Sequence, residues 1–282
     1  MPESCPICFR HCTPPEGELG ACRGRRMVNG HVICDNYGKL TAITLDPIEK
    51  KPLRQFCPGS KILSVGSYGC NLSCPFCENH NLSQAKPGDV YTMHFTPEEV
   101  VERAVSLQDK GNIGVAFTYN EPMISMEFVR DTAMLAKQKG LKTVLVTNGT
   151  AEVDVLEELL PYIDAMNVDF KGFDYYYYKK TLGGDINIVI RFIERAIQSC
   201  HVEITTLVVP NENDNETTIR MISAWIASLN QKYHQEIPLH ISRFFPAYKM
   251  LDKYPTNMLI IDKLCEIARE KLKYVYKTSF KR

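Results

Sequence analysis

From about residue 60 onward, short β-rich runs alternate with amphipathic stretches, and this rhythm limits the possible folds more than any other feature of the chain. Strands are predicted at 62–66 (Ile62-Leu63-Ser64-Val65-Gly66), 113–118, 142–147, 164–169, 202–209 and 238–242. Helices are predicted at about 97–110, 124–139, 152–161, 186–199, 216–231 and 256–272. Several boundaries are marked by residue type. Thr96-Pro97-Glu98-Glu99 supplies an N-cap, a proline in the first turn and early acidic residues, while Gly111 and Gly140 follow helix ends. Strand, helix and strand in succession make a right-handed crossover, so six such units predict a parallel α/β sheet. The count fits an open doubly wound sheet or an incomplete barrel. No internal repeat beyond this rhythm is visible.

Residues 1–58 read differently, and we expect them to form a separate module ahead of a main domain at 59–282. They are rich in glycine, proline and cysteine, with few helical periods, as in Thr13-Pro14-Pro15-Glu16-Gly17-Glu18. Such a segment must be held by something other than apolar burial. No stretch approaches the roughly 20 apolar residues of a spanning helix, and the start, Met-Pro-Glu-Ser-Cys-Pro, lacks the apolar core of a signal peptide. A cytoplasmic location is therefore expected, where thiols stay reduced. The 11 cysteines then point to metal or redox chemistry instead of disulfides. With 33 basic and 33 acidic side chains the formal charge is zero, so no global field draws the chain to nucleic acid or an anionic membrane.

Seven of the cysteines fall into two groups. Cys70, Cys74 and Cys77 directly follow the first predicted strand, at the carboxyl end of the sheet where parallel α/β folds place their active sites. Pro75 pushes Cys74 out of helical geometry, leaving a loop able to wrap an ion or cluster. Three thiols in eight residues leave one coordination position open, as catalytic sites do, and soft thiolates favour zinc, copper or iron–sulfur. His80 offers a fourth ligand if the site is structural zinc. The second group, Cys5-x2-Cys8-x3-Cys12-x9-Cys22, supplies a closed set of four, which suits structural zinc or a fully ligated iron–sulfur cluster. Cys34, Cys57, Cys200 and Cys265 stand alone and read as packing residues.

The spacing C-x3-C-x2-C after a first strand, with the aromatic Phe76 before the last cysteine, resembles the signature of radical S-adenosylmethionine (radical SAM) enzymes. The resemblance implies a partial (β/α)6 TIM-like barrel in which Cys70, Cys74 and Cys77 hold a 4Fe-4S cluster. The fourth iron is then chelated by the amino and carboxylate groups of S-adenosylmethionine. Later strand ends carry matching segments. Thr118-Tyr119-Asn120-Glu121-Pro122 is similar to the segment that holds the cofactor's amino group, usually Gly-Gly-Glu-Pro; Glu121 and Pro122 match and the glycines do not. Thr147-Asn148-Gly149 resembles the corresponding turn of glycyl-radical-activating enzymes. Val168-Asp169-Phe170-Lys171 is similar to the Asp-x-Lys of pyruvate formate-lyase activating enzymes, with both charges on one side of the strand. Val208-Val209-Pro210-Asn211-Glu212-Asn213-Asp214 resembles a Val-Pro-Gly turn in which Asn211 replaces glycine, and Pro238-Leu239-His240 matches a cofactor-facing histidine. Cofactor contacts are thus implied for Phe76, Asn120, Glu121, Asn148, Asp169, Lys171 and His240. The plain alternatives are a solvated turn, a salt-linked strand end and a structural histidine.

A narrower resemblance rests on Leu45-Asp46-Pro47-Ile48-Glu49-Lys50-Lys51-Pro52-Leu53, Phe56-Cys57-Pro58-Gly59-Ser60 and Phe117-Thr118-Tyr119-Asn120-Glu121-Pro122. These are similar to the branch encoded beside Memo-like and AMMECR1-like proteins (AmmeMemoRadiSam), over about residues 5–276. Many members continue into a further cysteine-bearing tail, whose role is expected to be missing from a sequence ending at Arg282. The resemblance implies reduced flavodoxin or ferredoxin as electron donor and cleavage of S-adenosylmethionine to methionine and a 5'-deoxyadenosyl radical. That radical abstracts hydrogen from an unassigned substrate. Activation of a glycyl-radical enzyme is one option, and a protein or small-molecule substrate handled with Memo-like or AMMECR1-like partners is another. The competing classes are an electron-transfer protein and a zinc scaffold; Glu121, Asp169, Lys171 and His240 at successive strand ends have no purpose in a simple electron relay.

Overall fold

The structure is a computed structural model that describes residues 2–278. The amino-terminal segment winds around an antiparallel hairpin, β1 (Arg25–Val28) and β2 (His31–Cys34), in which Arg25 faces Cys34. Two further strands follow, β3 (Lys39–Leu40) and β4 (Ala42–Pro47). The alternating part then runs β5 (Lys61–Gly66), α1 (His80–Ser83), β6 (Met93–His94), α2 (Pro97–Val105), β7 (Asn112–Phe117), α3 (Met126–Gln138), β8 (Lys142–Thr147) and α4 (Val153–Leu159). It ends β9 (Ala165–Asp169), α5 (Ile186–Ala196), β10 (His201–Val208), α6 (Glu216–Tyr233), β11 (Leu239–Arg243), α7 (Met258–Arg269) and β12 (Val275–Thr278).

The main sheet has eight strands in the order β12-β11-β10-β9-β8-β7-β5-β4. All are parallel except β4, which lies antiparallel along β5. Spatial order follows chain order without reversal, so every right-handed crossover returns on the same face. That arrangement excludes the doubly wound sheet, whose order turns back at a switch point, and makes an incomplete barrel. Helices α2 to α7 connect the parallel strands, giving six βα units plus a final strand. The Thr96 signal acts as read from the sequence: the Thr96 hydroxyl accepts from Glu99 N at 3.3 Å, and Glu99 returns the bond to Thr96 N at 2.8 Å.

Two apolar regions stabilise the wall. The larger lies between strands and helices, where Leu63, Val65, Val115 and Leu145 meet residues such as Val100, Val129 and Phe192. The smaller is inside the barrel, where Ile62, Ala116, Val144 and Ala165 pack on Ile48 and Leu53. The latter two come from the segment between β4 and β5, which crosses the amino-terminal end of the barrel as a floor. Polar groups buried there must find partners. Asn167 Nδ2 donates to Pro52 O at 2.9 Å, and the fully buried Glu203 accepts from Arg54 N at 3.0 Å and Gln55 N at 2.7 Å. Inside the barrel, the space that could take a ligand lies above this floor. Strand β4 belongs to the main sheet, so the sheet reaches back to residue 42, well before residue 58. Among the described residues no helix is long and apolar enough to cross a membrane.

Candidate functional site

A cavity of about 450 Å³ lies at the carboxyl ends of the parallel strands, with Cys70, Cys74 and Cys77 on its wall. The loop that carries them leaves β5 and turns at Gly69, whose φ of 90° is left-handed. A Cβ there would sit 2.5 Å from Cys22 O, so only glycine fits against the amino-terminal module. Donors converge on the sulfurs: Leu72 N lies 3.4 Å from Cys70 Sγ, Asn148 Nδ2 lies 3.6 Å from it, and the Ser83 hydroxyl lies 3.2 Å from Cys77 Sγ. Burial pushes all three thiols up, Cys74 to about 12, because no positive charge close by offsets the desolvation of a thiolate apart from Lys171. This donor set, three half-buried thiols with hydrogen-bonding groups beside two of the sulfurs, fits a cationic iron–sulfur group. Phe76 is buried beside them, with Lys171 Nζ 5.7 Å from its ring centre.

The segment after β7 forms the next wall. Glu121 is 3% exposed, and its carboxylate accepts from Met123 N (3.0 Å), the Thr147 hydroxyl (2.7 Å) and Asn148 N (2.8 Å). Burial raises it to about 7 despite these three donors, which favour the ionised form. Asn120 lines the cavity, yet its amide is spent on backbone: Nδ2 donates to Tyr68 O and Gly69 O at 3.2 Å each, and Oδ1 accepts from Ser67 N at 3.0 Å. It braces the cysteine loop against β7. Tyr119 sits in the left-handed region at φ 73°, and its ring lies over Gly66, where a Cβ would come within 2.8 Å of Tyr119 Cδ2.

Asp169 and Lys171 project into the cavity from the end of β9, with Nζ 3.3 Å from Oδ2. Burial pulls the Lys171 ammonium down, but Asp169 and the Cys74 thiol outweigh it and leave the group above the usual lysine range. His240 does not join this wall. It is 1% exposed, and its Nε2 lies 2.6 Å from Glu203 Oε2, in the floor. As the second residue of β11 it faces inward one layer too low, and the cavity is reached only by Ser242 and Arg243 further along the strand. Burial alone would raise Glu203, but His201, His240 and the Arg54 amide hold it down at about 2.

One side of the cavity is built by residues that sequence reasoning left out of the site: Thr44, Asp46, Lys50 and Lys51. Asp46 accepts from Lys51 Nζ (2.8 Å) and the Tyr119 hydroxyl (2.7 Å), and Lys50 Nζ stands 3.3 Å away. These bonds hold Asp46 at about 2 against burial. The available signal was strand alternation, since Thr44 and Asp46 lie opposite Ser64 and Ile62 and so share their inward face.

Cys5, Cys8, Cys12 and Cys22 line a second, small enclosed space together with Arg25. Among the described residues no three His, Cys, Asp or Glu side chains are gathered closely enough to hold a single metal ion as they stand.

Residues 64–222 match the family model described as the Radical SAM superfamily, more than half of the chain. An uncharacterized protein of Methanocaldococcus jannaschii is 39% identical over 274 residues, covering 96% of this chain and 80% of that one. The pyruvate formate-lyase 1-activating enzyme of Escherichia coli is 26% identical over 187 residues, covering 65% of this chain and 75% of that one. Among solved structures, QueE from Escherichia coli superposes with a TM-score of 0.54 at 14% identity, covering 86% of this chain and 94% of that one.

Proposed function

This chain belongs to the radical SAM superfamily, and on that premise we propose that it cleaves S-adenosylmethionine reductively at a 4Fe-4S cluster held by Cys70, Cys74 and Cys77. It is an enzyme of the radical SAM type, similar to activating enzymes. The observation that carries the assignment of roles is the shared cavity: three thiols without a fourth ligand stand on one wall, and a buried carboxylate ringed by neutral donors stands on the next. When bound, the cluster and S-adenosylmethionine supply one-electron cleavage of the sulfonium to methionine and a 5'-deoxyadenosyl radical, which abstracts hydrogen from the substrate.

The chain's own residues orient and protect. Glu121, near neutrality in the free protein, would accept in its ionised form a hydrogen bond from the amino group of the methionine portion. Asn148 donates to both Glu121 and Cys70, tying the amino-group site to the cluster site, and Asn120 fixes the loop between them. Asp169 and Lys171 face the rest of the cofactor with one charge of each sign. Phe76 covers the cluster side. His240 acts from below: with Glu203 it closes the floor, keeping water from the radical. Electrons come from reduced flavodoxin or ferredoxin. The substrate class is a protein or small molecule, with glycyl-radical enzyme activation supported by the likeness to the Escherichia coli activating enzyme. Memo-like or AMMECR1-like partners follow from the motif around Asp46. The four amino-terminal thiols form a metal site, zinc or a second cluster, in the segment ahead of the main sheet. A cytoplasmic location suits the absence of any disulfide among the 11 cysteines.

The test is anaerobic reconstitution followed by incubation with S-adenosylmethionine and dithionite. We expect 5'-deoxyadenosine well above a Cys74→Ala control; equal amounts in both would overturn the reading.

A further inference from the structure

We propose that the substrate carries an oxyanion, a carboxylate or a phosphate, and that the guanidinium of Arg243 holds this group inside the cavity. The proposal rests on the reading of the thiol triplet and Glu121 as the cofactor side, and it names the class of molecule that fills the other side. Four cations line the cavity, Lys50, Lys51, Lys171 and Arg243. Three of them are spent on carboxylates of the same wall: Lys50 and Lys51 stand 3.3 and 2.8 Å from Asp46, and Lys171 stands 3.3 Å from Asp169. Arg243 has no carboxylate within ion-pairing distance among the described residues. Its Nε donates to Thr256 O at 2.8 Å, and its guanidinium carbon lies 5.1 Å from the centre of the Phe245 ring. These two contacts fix the plane of the group and leave both terminal nitrogens without a hydrogen-bond partner among the described residues. A fixed fork of N–H donors matches two oxygens of a carboxylate or phosphate, whereas a lysine offers only a point charge. Bracing of the loop uses Nε alone, so the fork is left for a ligand.

Arg243 also stands where a substrate must meet the cofactor. It ends β11, next to the edge strand β12, and the cysteine loop follows β5, next to the opposite edge strand β4. The sheet does not close between those edges, so the two lie across the opening from each other. The segment after Arg243 spans that opening: Lys249 N donates to Pro75 O at 2.9 Å, and the Tyr248 ring stacks on His80 with 4.8 Å between centres. Tyr248 takes a left-handed φ of 52° to do so, a conformation uncommon for an aromatic residue. At floor level the same opening is tied by Gln55 Nε2, which donates to the Tyr276 hydroxyl. A molecule anchored at Arg243 is therefore enclosed between roof and floor, with its body in the same cavity as the thiols. Leu207 on β10 and Val146 on β8 make the wall between the strand ends apolar. They suit an uncharged carbon body with the anion at one end. The guanidinium takes no part in bond breaking; it binds the substrate and orients it.

The test uses the full chain, reconstituted, oxidised and saturated with S-adenosylmethionine, so that the cofactor's own sites are filled. It is titrated calorimetrically with sodium phosphate and, separately, with sodium acetate, each against sodium chloride at equal ionic strength. We expect saturable binding of at least one of these ions, and the tighter binder names the group on the substrate. In Arg243→Met that affinity should fall about 10- to 100-fold, the worth of hydrogen bonds to a charged group, while S-adenosylmethionine binds as in the wild type. Arg243→Lys should fall between the two, because it keeps the charge without the fork, and it carries the comparison if the methionine variant fails to fold. No saturable binding in the wild type, or equal affinity in wild type and variants, would overturn the proposal. So would a parallel loss of S-adenosylmethionine affinity in Arg243→Met, which would give the fork to the cofactor's carboxylate. A chain that forms 5'-deoxyadenosine yet titrates neither ion sinks this proposal alone. A chain that titrates them through Arg243 but forms no 5'-deoxyadenosine sinks the reading of the triplet and leaves the anion site standing.

Discussion

Replacing Glu121 with glutamine removes one charge from a site where the surrounding donors are all neutral. In the free protein the carboxylate stands near 7, raised by burial from an ordinary 4.5. A bound amino group that donates to the carboxylate favours its ionised form, so binding below neutrality must expel the carboxyl proton. The sign follows: affinity for S-adenosylmethionine is flat above about pH 7 and falls by about tenfold per unit below it, until Glu121 is protonated in the complex too. The lost interaction, one hydrogen bond to a charged group, is worth about 1.5–3 kcal/mol, roughly a 10- to 100-fold weaker affinity at pH 8. Glu121→Gln should show that loss at pH 8 and no carboxylate titration below it, so that the two proteins converge as pH falls. Any titration of the ligand's own ammonium is common to both and cancels in the ratio of affinities. Calorimetric titration of the oxidised, reconstituted proteins with S-adenosylmethionine from about pH 5.5 to 8 reads this ratio directly. A ratio that stays constant across the range, or equal affinities at pH 8, would refute the role given to Glu121.

Other perturbations test the framework around that carboxylate. Glu203→Gln should destabilise the chain by about 3 kcal/mol at pH 7, since the group is held near 2 instead of 4.5. That contribution is complete above pH 4.5 and fades as pH falls toward 2; an unchanged urea midpoint at pH 7 would contradict it. Lys51→Met strips the nearest cation from the buried Asp46, and loss of one partner of such a pair costs about 3–5 kcal/mol. Thermal melting at pH 7 should show it, and a melting point equal to the wild type would refute it. Gly66→Ala places a Cβ 2.6 Å from Thr118 O and 2.8 Å from Tyr119 Cδ2, so the Thr118–Glu121 wall must shift. Weaker binding of S-adenosylmethionine with intact iron content is expected, and unaltered binding would count against the packing described for Tyr119.

Local pattern located most of the strands and helices but not how they are ordered in space. The runs beginning at Ile62, Lys142 and Val202 were readable because strand and helix periods differ, and Thr96 announced its helix through cap chemistry. Whether the units closed into a barrel depended on which face each crossover took, which no single segment records. Strand β4 was hidden because Ala42–Pro47 ends in Asp-Pro and pairs only through contact with β5. For the same reason Asp46 and Lys51 were visible as a motif but not as a wall of the cavity. His240 shows the complementary limit. Its inward direction follows from strand alternation, but its depth was set by Glu203, whose carboxylate needed donors in the floor. Cys70, Cys74 and Cys77 were legible because their spacing is local, while the contacts of Asn148 with Cys70 and Asn71 are purely tertiary.

The most direct test of radical SAM chemistry at the triplet is the electron paramagnetic resonance spectrum of the reduced, reconstituted chain before and after S-adenosylmethionine is added, using cofactor labelled at its amino nitrogen. We expect the signal assigned to the triplet to change on addition and to show hyperfine coupling to the label, with both effects lost in Cys74→Ala. A spectrum unaltered by the cofactor, or a coupling that survives in Cys74→Ala, would contradict the assignment of Cys70, Cys74 and Cys77 as an open cluster site.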